Sequence, residues 1–518
     1  MKHHSIKAAA FFLFLSTIAL AQDVASFEKR VTVKTLPNGL TLIVCERPEA
    51  PVFSFFTLVD AGSVQDPMGA TGLAHMFEHM AFKGTDKIGT TNYPAEKVAL
   101  EKVETTYAAY RAERDKTVGR DEAKVKQLEK AWMDARAEAD KYVVSNEFGK
   151  IVEQNGGEDM NAFTNLDETA YHYSLPANRL ELWAYLESDR FLHPVLREFY
   201  KERNVVIEER RMRTDSTPFG RLIEQFTEEA FAAHPYHRPT IGWISDLNHF
   251  SATDAQAFFD KYYVASNMVV AVAGDVKAAQ VIPMLEKYFG RLPTRPHPDE
   301  ITTTEPPQNS ERRVILKETT QPIYIEGYHR PDYRDKDDAV FDAITDLLSE
   351  GRTSRLYRSL VRDKKIASFS EGFTGYPGVK YPHLFAFLAV PLPGHKPQEI
   401  GDAIHAEIDR LKKEDISDDE LKMIKTRSKA NLLRGLADNE GLATQLATYQ
   451  LRYGDWRELF RSVDRIDKVT KADIRRIANN VFVDTNRTVG FIENSGTGGG
   501  SPGGGHASDD SADKGGAQ

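Results

Sequence analysis

Apolar positions along this chain switch between a period of two and a period of three to four, and the switches mark out its elements. "VTVKTLPNGLTLIVCER" (31–47) reads as two strands around a Pro-Asn-Gly turn, and "PVFSFFTLVDAGSVQD" (51–66) as a strand running into a loop. "GLAHMFEHMAFKGT" (72–85) sets Leu73, Met76, Phe77 and Met80 on one side of a helix that ends near Lys83-Gly84. Beyond it Leu100, Val103, Tyr107 and Tyr110, then Val125, Leu128, Trp132, Ala135, Ala139 and Tyr142, recur among charged residues and alanines. That seam predicts a helical hairpin, inserted at about 100–145 and projecting from its domain. "GGEDMNAFTNLDETAYHYSLP" (156–176) returns to strands, two helices follow, the second from about Arg197, and "NMVVAVAGDV" is an apolar strand before a closing helix.

Residues 292–312 carry Pro, Thr and charge without periodicity, which predicts a linker. After it the order restarts: strands at "RRVILKET" and "PIYIEGYHRP", a helix at "DDAVFDAITDLLSEG", a strand at "YPHLFAFLAVPLP", then helices. The restart suggests a weak internal duplication. The helix at 338–350 holds no histidine, so only the first copy has kept any chemistry based on that residue. The fold class this predicts is α+β, with two related domains, 22–291 and 313–493, each an antiparallel sheet packed with helices. A chain of 518 residues is too long for one core, which agrees.

The two ends read differently. "MKHHSIKAAAFFLFLSTIALAQD" has a basic start, a short apolar run and an A-x-A site, which predicts a signal peptide cut after Ala21 and a soluble protein in the periplasm or outside the cell. From Asn494 (494–518) the chain is Gly-rich and of low complexity, so a disordered tail is expected. A net charge of −10 with no basic stripe argues against nucleic acid as a partner. Cys45 is the only cysteine and sits in an apolar strand, where a buried small hydrophobe is expected and nucleophilic chemistry is not.

Candidate chemistry concentrates at His75, Glu78 and His79. Positions i and i+4 share a helix face, so both imidazoles can aim at one metal ion, with Glu78 near enough to take a proton from its water. H-x-x-E-H is the inverted form of the H-E-x-x-H zinc helix. On its own the pattern is equally compatible with an ordinary histidine pair.

At "GLAHMFEHMAFKGT" the chain resembles the pitrilysin/insulinase metallopeptidases (peptidase family M16), in particular the bacterial relatives of mitochondrial processing peptidase. "GGEDMNAFTNLDETAYHY", "ERNVVIEERRMR" and "SEGRTSRLYRSLVRDKK" follow in the same order, so the resemblance spans Val31 to Glu493. It implies one Zn2+ per chain, held by His75, His79 and a distal glutamate that matches Glu209, with Glu208 one residue away as the rival. It implies Glu202, two turns before Glu209 on the same face, as a partner that orients a ligand, and Glu78 as the group that activates water. It implies Asn161, Ala162 and Phe163 as part of an edge strand that receives peptide, and a clam-shell-like chamber that favours peptides and unfolded polypeptides. The gap between His79 and Glu209 is longer than the family's usual one, and the hairpin accounts for the excess. In the second half Arg362 matches a carbonyl-binding arginine, but Phe369 stands where the family has a tyrosine, and a phenyl ring donates no hydrogen bond. A homodimer or a heterodimer with a second such subunit is therefore expected. A non-catalytic or partner-dependent subunit, and a zinc hydrolase of other substrates, are the alternative readings.

Overall fold

The computed structural model describes residues 27–495; the signal-like stretch at 1–21 and the tail beyond 495 lie outside these. Two sheets form its framework. The first contains β1 (Val31–Thr35), β2 (Thr41–Glu46), β3 (Val52–Val59), β4 (Glu158–Thr164), β5 (Thr169–Pro176) and β6 (Met268–Gly274), in the order β1-β2-β6-β3-β5-β4. The second contains β7 (Arg312–Glu318), β8 (Ile323–Arg330), β9 (Ala367–Tyr376), β10 (His383–Pro391) and β11 (Arg487–Asn494), in the order β7-β11-β8-β10-β9.

Apart from the added edge strand β1, the two orders are the same permutation: first, last, second, fourth, third. Each sheet is antiparallel except where its first and last strands run parallel, β2 with β6 and β7 with β11. The duplication suggested by the sequence is thus written into the topology. The parallel pairs are an addition to the wholly antiparallel sheets expected.

Eight helices bear on the site or on the pairing of the halves: α1 (Leu73–Met80), α2 (Tyr93–Arg114), α3 (Glu122–Ala139), α4 (Leu180–Leu192), α5 (Phe199–Arg210), α6 (Pro218–Ala230), α7 (Asp338–Ser349) and α8 (Asn439–Tyr453). α1 follows β3 as α7 follows β8, so these two occupy equivalent places in the two halves. α2 and α3 form the hairpin.

Each half lends a helix to the other. α6 lays Leu222, Phe226 and Ala230 on Ile325, Leu384 and Ile492 of the second sheet. Its close approach depends on glycine: a Cβ on Gly327 or Gly490 would meet the Phe226 ring at 3.1 Å. In return α8 lays Leu442, Ala443, Leu446 and Ala447 on Ile43, Phe56, Leu58 and Ala271 of the first sheet, covering Cys45 as well. Burial pushes the Cys45 thiol up to about 11, which leaves it an inert core residue. Each sheet has one face packed by helices of its own half, and the opposite face would be bare without the other half; apolar area removed from water is the main favourable term in holding such layers together.

The connector at 293–311 has no helix or strand, yet it is docked: the Glu305 carboxylate accepts hydrogen bonds from the backbone N–H groups of Ala232, Ala233 and His234 at 2.7–2.9 Å. Among the described residues no helix is long and apolar enough to cross a membrane.

Candidate metal centre

α1 is short, so its position depends on its ends and its apolar side. The buried Asp66 carboxylate accepts hydrogen bonds from the N–H groups of Gly72 (2.7 Å) and Ala74 (2.9 Å), satisfying donors that a helix start leaves free. Gly72 has φ 92°, and a Cβ there would strike the Ile241 carbonyl at 2.6 Å, so only glycine fits. Phe77 stacks on Phe259 with ring centroids 4.7 Å apart, which fixes the rotation of α1. Rotation set in this way leaves His75, Glu78 and His79 toward α5 and β4.

α5 is held at two points. Arg203 donates to the Tyr107 hydroxyl (2.7 Å) and the Phe250 carbonyl, and Arg210 donates to Glu224 and the Gly242 carbonyl. Past Arg210 the helix widens into a π-type turn, Arg211–Asp215, an irregularity often found beside functional sites. Glu202 and Glu209 project from one face of α5, two turns apart.

The hairpin, expected to project from its domain, is rooted on this helix. Its inner seam brings Tyr107 and Trp132 against Tyr200 of α5, at centroid distances of 4.4 and 5.1 Å, and the Tyr200 hydroxyl donates to Glu104 at 2.6 Å. Its first helix starts at Tyr93, ahead of the 100 read from the seam, because Asn92 caps it and Pro94 suits its first turn.

His75, His79 and Glu209 converge. Glu209 Oε2 lies 3.7 Å from His75 Nε2 and 3.5 Å from His79 Nε2. A tetrahedral zinc ion with bonds of ~2.0–2.1 Å holds its ligands about 3.4 Å apart, so these three atoms are spaced to share such an ion, and nitrogen–oxygen donors suit it. Glu208 does not share in this: its side chain is 61% exposed and faces Arg211. Of the two glutamates, Glu209 is the one placed beside both histidines.

Glu202 lies behind His79, with Oε2 3.5 Å from Nδ1, and its other oxygen is paired with Lys83. Burial opposes its charge, but His79 and Lys83 outweigh that and hold the Glu202 carboxyl down at about 2. Burial also opposes a charge on His79, yet Glu202 and Glu209 raise it to about 9; His75, buried and beside His79, is pushed down to about 4. Arg213 pairs with the outer oxygen of Glu209 at 2.8 Å, leaving Oε2 turned toward the histidines. Burial pushes Glu78 up, while the Thr164 hydroxyl, which hydrogen-bonds it, acts the other way.

β4 is one of the two edge strands of the first sheet and runs beside α1. Asn161, Ala162 and Phe163 pair inward with His172, Tyr171 and Ala170 of β5, and among the described residues no strand lies on their other side. In the second half Arg362 pairs with its neighbour Asp363 at 2.6 Å, and no hydrogen bond or ion pair joins it to His75, Glu78, His79 or Glu209. Phe369, on β9, is 41% exposed. Sequence reasoning missed Asp66, Lys83, Thr164 and Arg213. The signal for Asp66 was available, an aspartate ahead of a glycine helix start, whereas the other three declare themselves only by what they touch.

Two sheets of one permuted topology, with a His–His–Glu cluster on the first, define a two-domain α+β protein built around a candidate metal site. The chain belongs to peptidase family M16, the insulinase family: the model described as Insulinase (Peptidase family M16) matches residues 43–139 and 135–243, and that of the Peptidase M16 inactive domain matches 249–428. Among similar proteins, the zinc protease PqqE of Helicobacter pylori is 28% identical over 95% of this chain and 100% of its own length. The beta subunit of the mitochondrial-processing peptidase of Saccharomyces cerevisiae is 23% identical over 90% of this chain and 92% of its own. The crystal structure of a protease from Helicobacter pylori matches with a TM-score of 0.74 at 28% identity, covering 89% of this chain and 99% of that one.

Proposed function

We propose that this chain is an exported zinc-dependent endopeptidase that hydrolyses peptides and unfolded polypeptides. The observation that carries the reading is the convergence of His75 Nε2, His79 Nε2 and Glu209 Oε2 with Glu78 beside them and an open strand edge alongside. His75, His79 and Glu209 would hold one zinc ion per chain, whose chemistry is to acidify a water to a pKa of ~7 and to polarise a carbonyl.

The chain's own residues supply the rest. Glu78 takes the proton of the attacking water and hands it to the departing amine; its burial raises its proton affinity and suits it to both tasks. Glu202 fixes the His79 ring through Nδ1. β4 offers the backbone of Asn161–Phe163 for pairing with an extended peptide, a recognition mode that reads main chain and tolerates many sequences. Folded proteins present few such strands, so an unfolded substrate fits.

A second reading, in which a partner subunit completes the site, is favoured by one observation: Phe369 carries no hydroxyl, so that position offers no hydrogen-bond donor to a developing oxyanion. Relatives that are named as subunits agree with it. Export rests on the signal-like first 21 residues.

The test is cleavage of a quenched fluorescent unfolded polypeptide by the purified mature chain. Activity abolished by a chelator and restored by zinc supports the endopeptidase; zinc bound without cleavage until a second subunit is added supports the partner-dependent form. Failure to retain zinc would sink both readings. Fractionation of the producing cells tests export.

A further inference from the structure

A second cluster of metal-ligating groups lies in the same domain and shares no residue with the first. Asp86 stands in the loop after α1, Asp189 in the last turn of α4, and His193 directly after that helix. One ligand atom from each falls within 4.8 Å of the others. His193 Nδ1 is 3.1 Å from Asp189 Oδ1 and 3.9 Å from Asp86 Oδ1.

Two features set this cluster apart from an ordinary surface group of acids. The Asp189 side chain is 0% exposed, and its Oδ2 has no hydrogen-bond partner; Asp86 Oδ1 is also shielded from solvent and unpartnered. A buried carboxylate oxygen without a donor is costly, and a metal ion is one of the few groups that satisfies two at once. The second feature is the rigidity of the frame. Arg197 donates to the carbonyls of Lys83, Thr85 and Ile88, and Thr85 bridges to Pro194, so the loop and the end of α4 are held side by side. The cation nearest in this arrangement is Lys87, whose Nζ is 3.6 Å from Asp189 Oδ1 on a side chain 51% exposed, free to swing outward.

We propose that Asp86, Asp189 and His193 form a second metal site, which takes a divalent transition-metal ion and clamps the 84–89 loop to the end of α4. One imidazole and two carboxylates suit zinc, manganese or cobalt better than calcium, which prefers oxygen alone. Binding requires the neutral His193 tautomer that carries its proton on Nε2 and presents Nδ1 to the ion, and it displaces the Lys87 ammonium. The ion then fixes the loop that leaves the His75/His79 helix. Its role is structural and it takes no part in hydrolysis.

The test uses the full chain with His75→Ala and His79→Ala together, which removes the first site. Titration with Co2+ and with Cu2+ is followed by calorimetry, thermal shift and, for Cu2+, electron paramagnetic resonance. One ion per chain, a rise in Tm, and coupling to a single imidazole nitrogen are expected. Adding His193→Ala, a partly exposed residue whose loss leaves the core intact, weakens binding at least tenfold and removes the nitrogen coupling; Asp86→Asn weakens it as well. Absence of binding in the double variant overturns the proposal, and so does binding that survives His193→Ala unchanged.

Discussion

His79 Nδ1 and Glu202 Oε2 face each other at 3.5 Å, while the other nitrogen of the same ring faces Glu209 at the same distance. One imidazole is thus held between two carboxylates two turns apart on α5, one behind it and one beside the candidate ion. Partners of this kind fix a ligand's tautomer and orientation. Replacing Glu202 by Gln keeps the shape and removes the charge, so zinc affinity is expected to fall about 10–100-fold. Competition with a chromophoric chelator measures it. Unchanged affinity would mean that Lys83 is the only group Glu202 serves.

Glu78 lies between the two histidines in sequence, and its geometry separates binding from chemistry. Glu78→Gln is expected to retain zinc within error and to lower kcat by about 10²–10⁴-fold, the range for a lost general base. Metal analysis and steady-state kinetics on one preparation check both halves. Zinc lost together with activity would recast Glu78 as a ligand.

Acid should destabilise the fold. His383 is buried and pushed down to about 3 by burial and then by Arg330; His234 is pushed down to about 4, again chiefly by burial. A depressed folded pKa means that the unfolded chain binds more protons below about pH 6.5. Stability is therefore whole above pH 6.5 and declines as the pH falls toward 4 and 3, His383 alone contributing on the order of 4 kcal/mol. Melting temperatures across pH 7 to 4 measure the slope. His383→Asn with His234→Asn, which can keep the ring nitrogens' hydrogen bonds, should flatten it.

The exchanged helices predict joint unfolding. Phe226 belongs to the first half but fills the second sheet's face, so Phe226→Ala should cost about 3–5 kcal/mol. Calorimetry should show one transition that moves as a whole. Two separated transitions, with only one displaced, would refute the coupling.

Much of the fold was legible in the sequence, and the reasons for the gaps are physical. Strands such as β3 and β6 announce themselves because they are buried on both faces and almost wholly apolar. β9 escaped notice: it is an edge strand, "ASFSEGFTGY", with two glycines and a shift of register near Ser368, so its alternation is broken. α8 escaped for another reason. Its apolar face is made of small residues and leucines sized for a sheet far away in sequence, and periodicity does not name the partner. At the site, His75 and His79 were readable because i and i+4 spacing is local. Glu209 over Glu208 was not, since one residue of helical phase is decided by where Arg203 and Arg210 anchor α5.

The helix exchange has a consequence for how such a chain is held together and inherited. The covalent connector at 293–311 is not what joins the halves; mutual roofing is. A break in the connector would leave a two-piece particle, and a gene cut at that point could persist as two genes whose products must meet to fold. The second half can then lose every trace of its own chemistry and still be kept, because it shelters the surface on which the first half's chemistry stands.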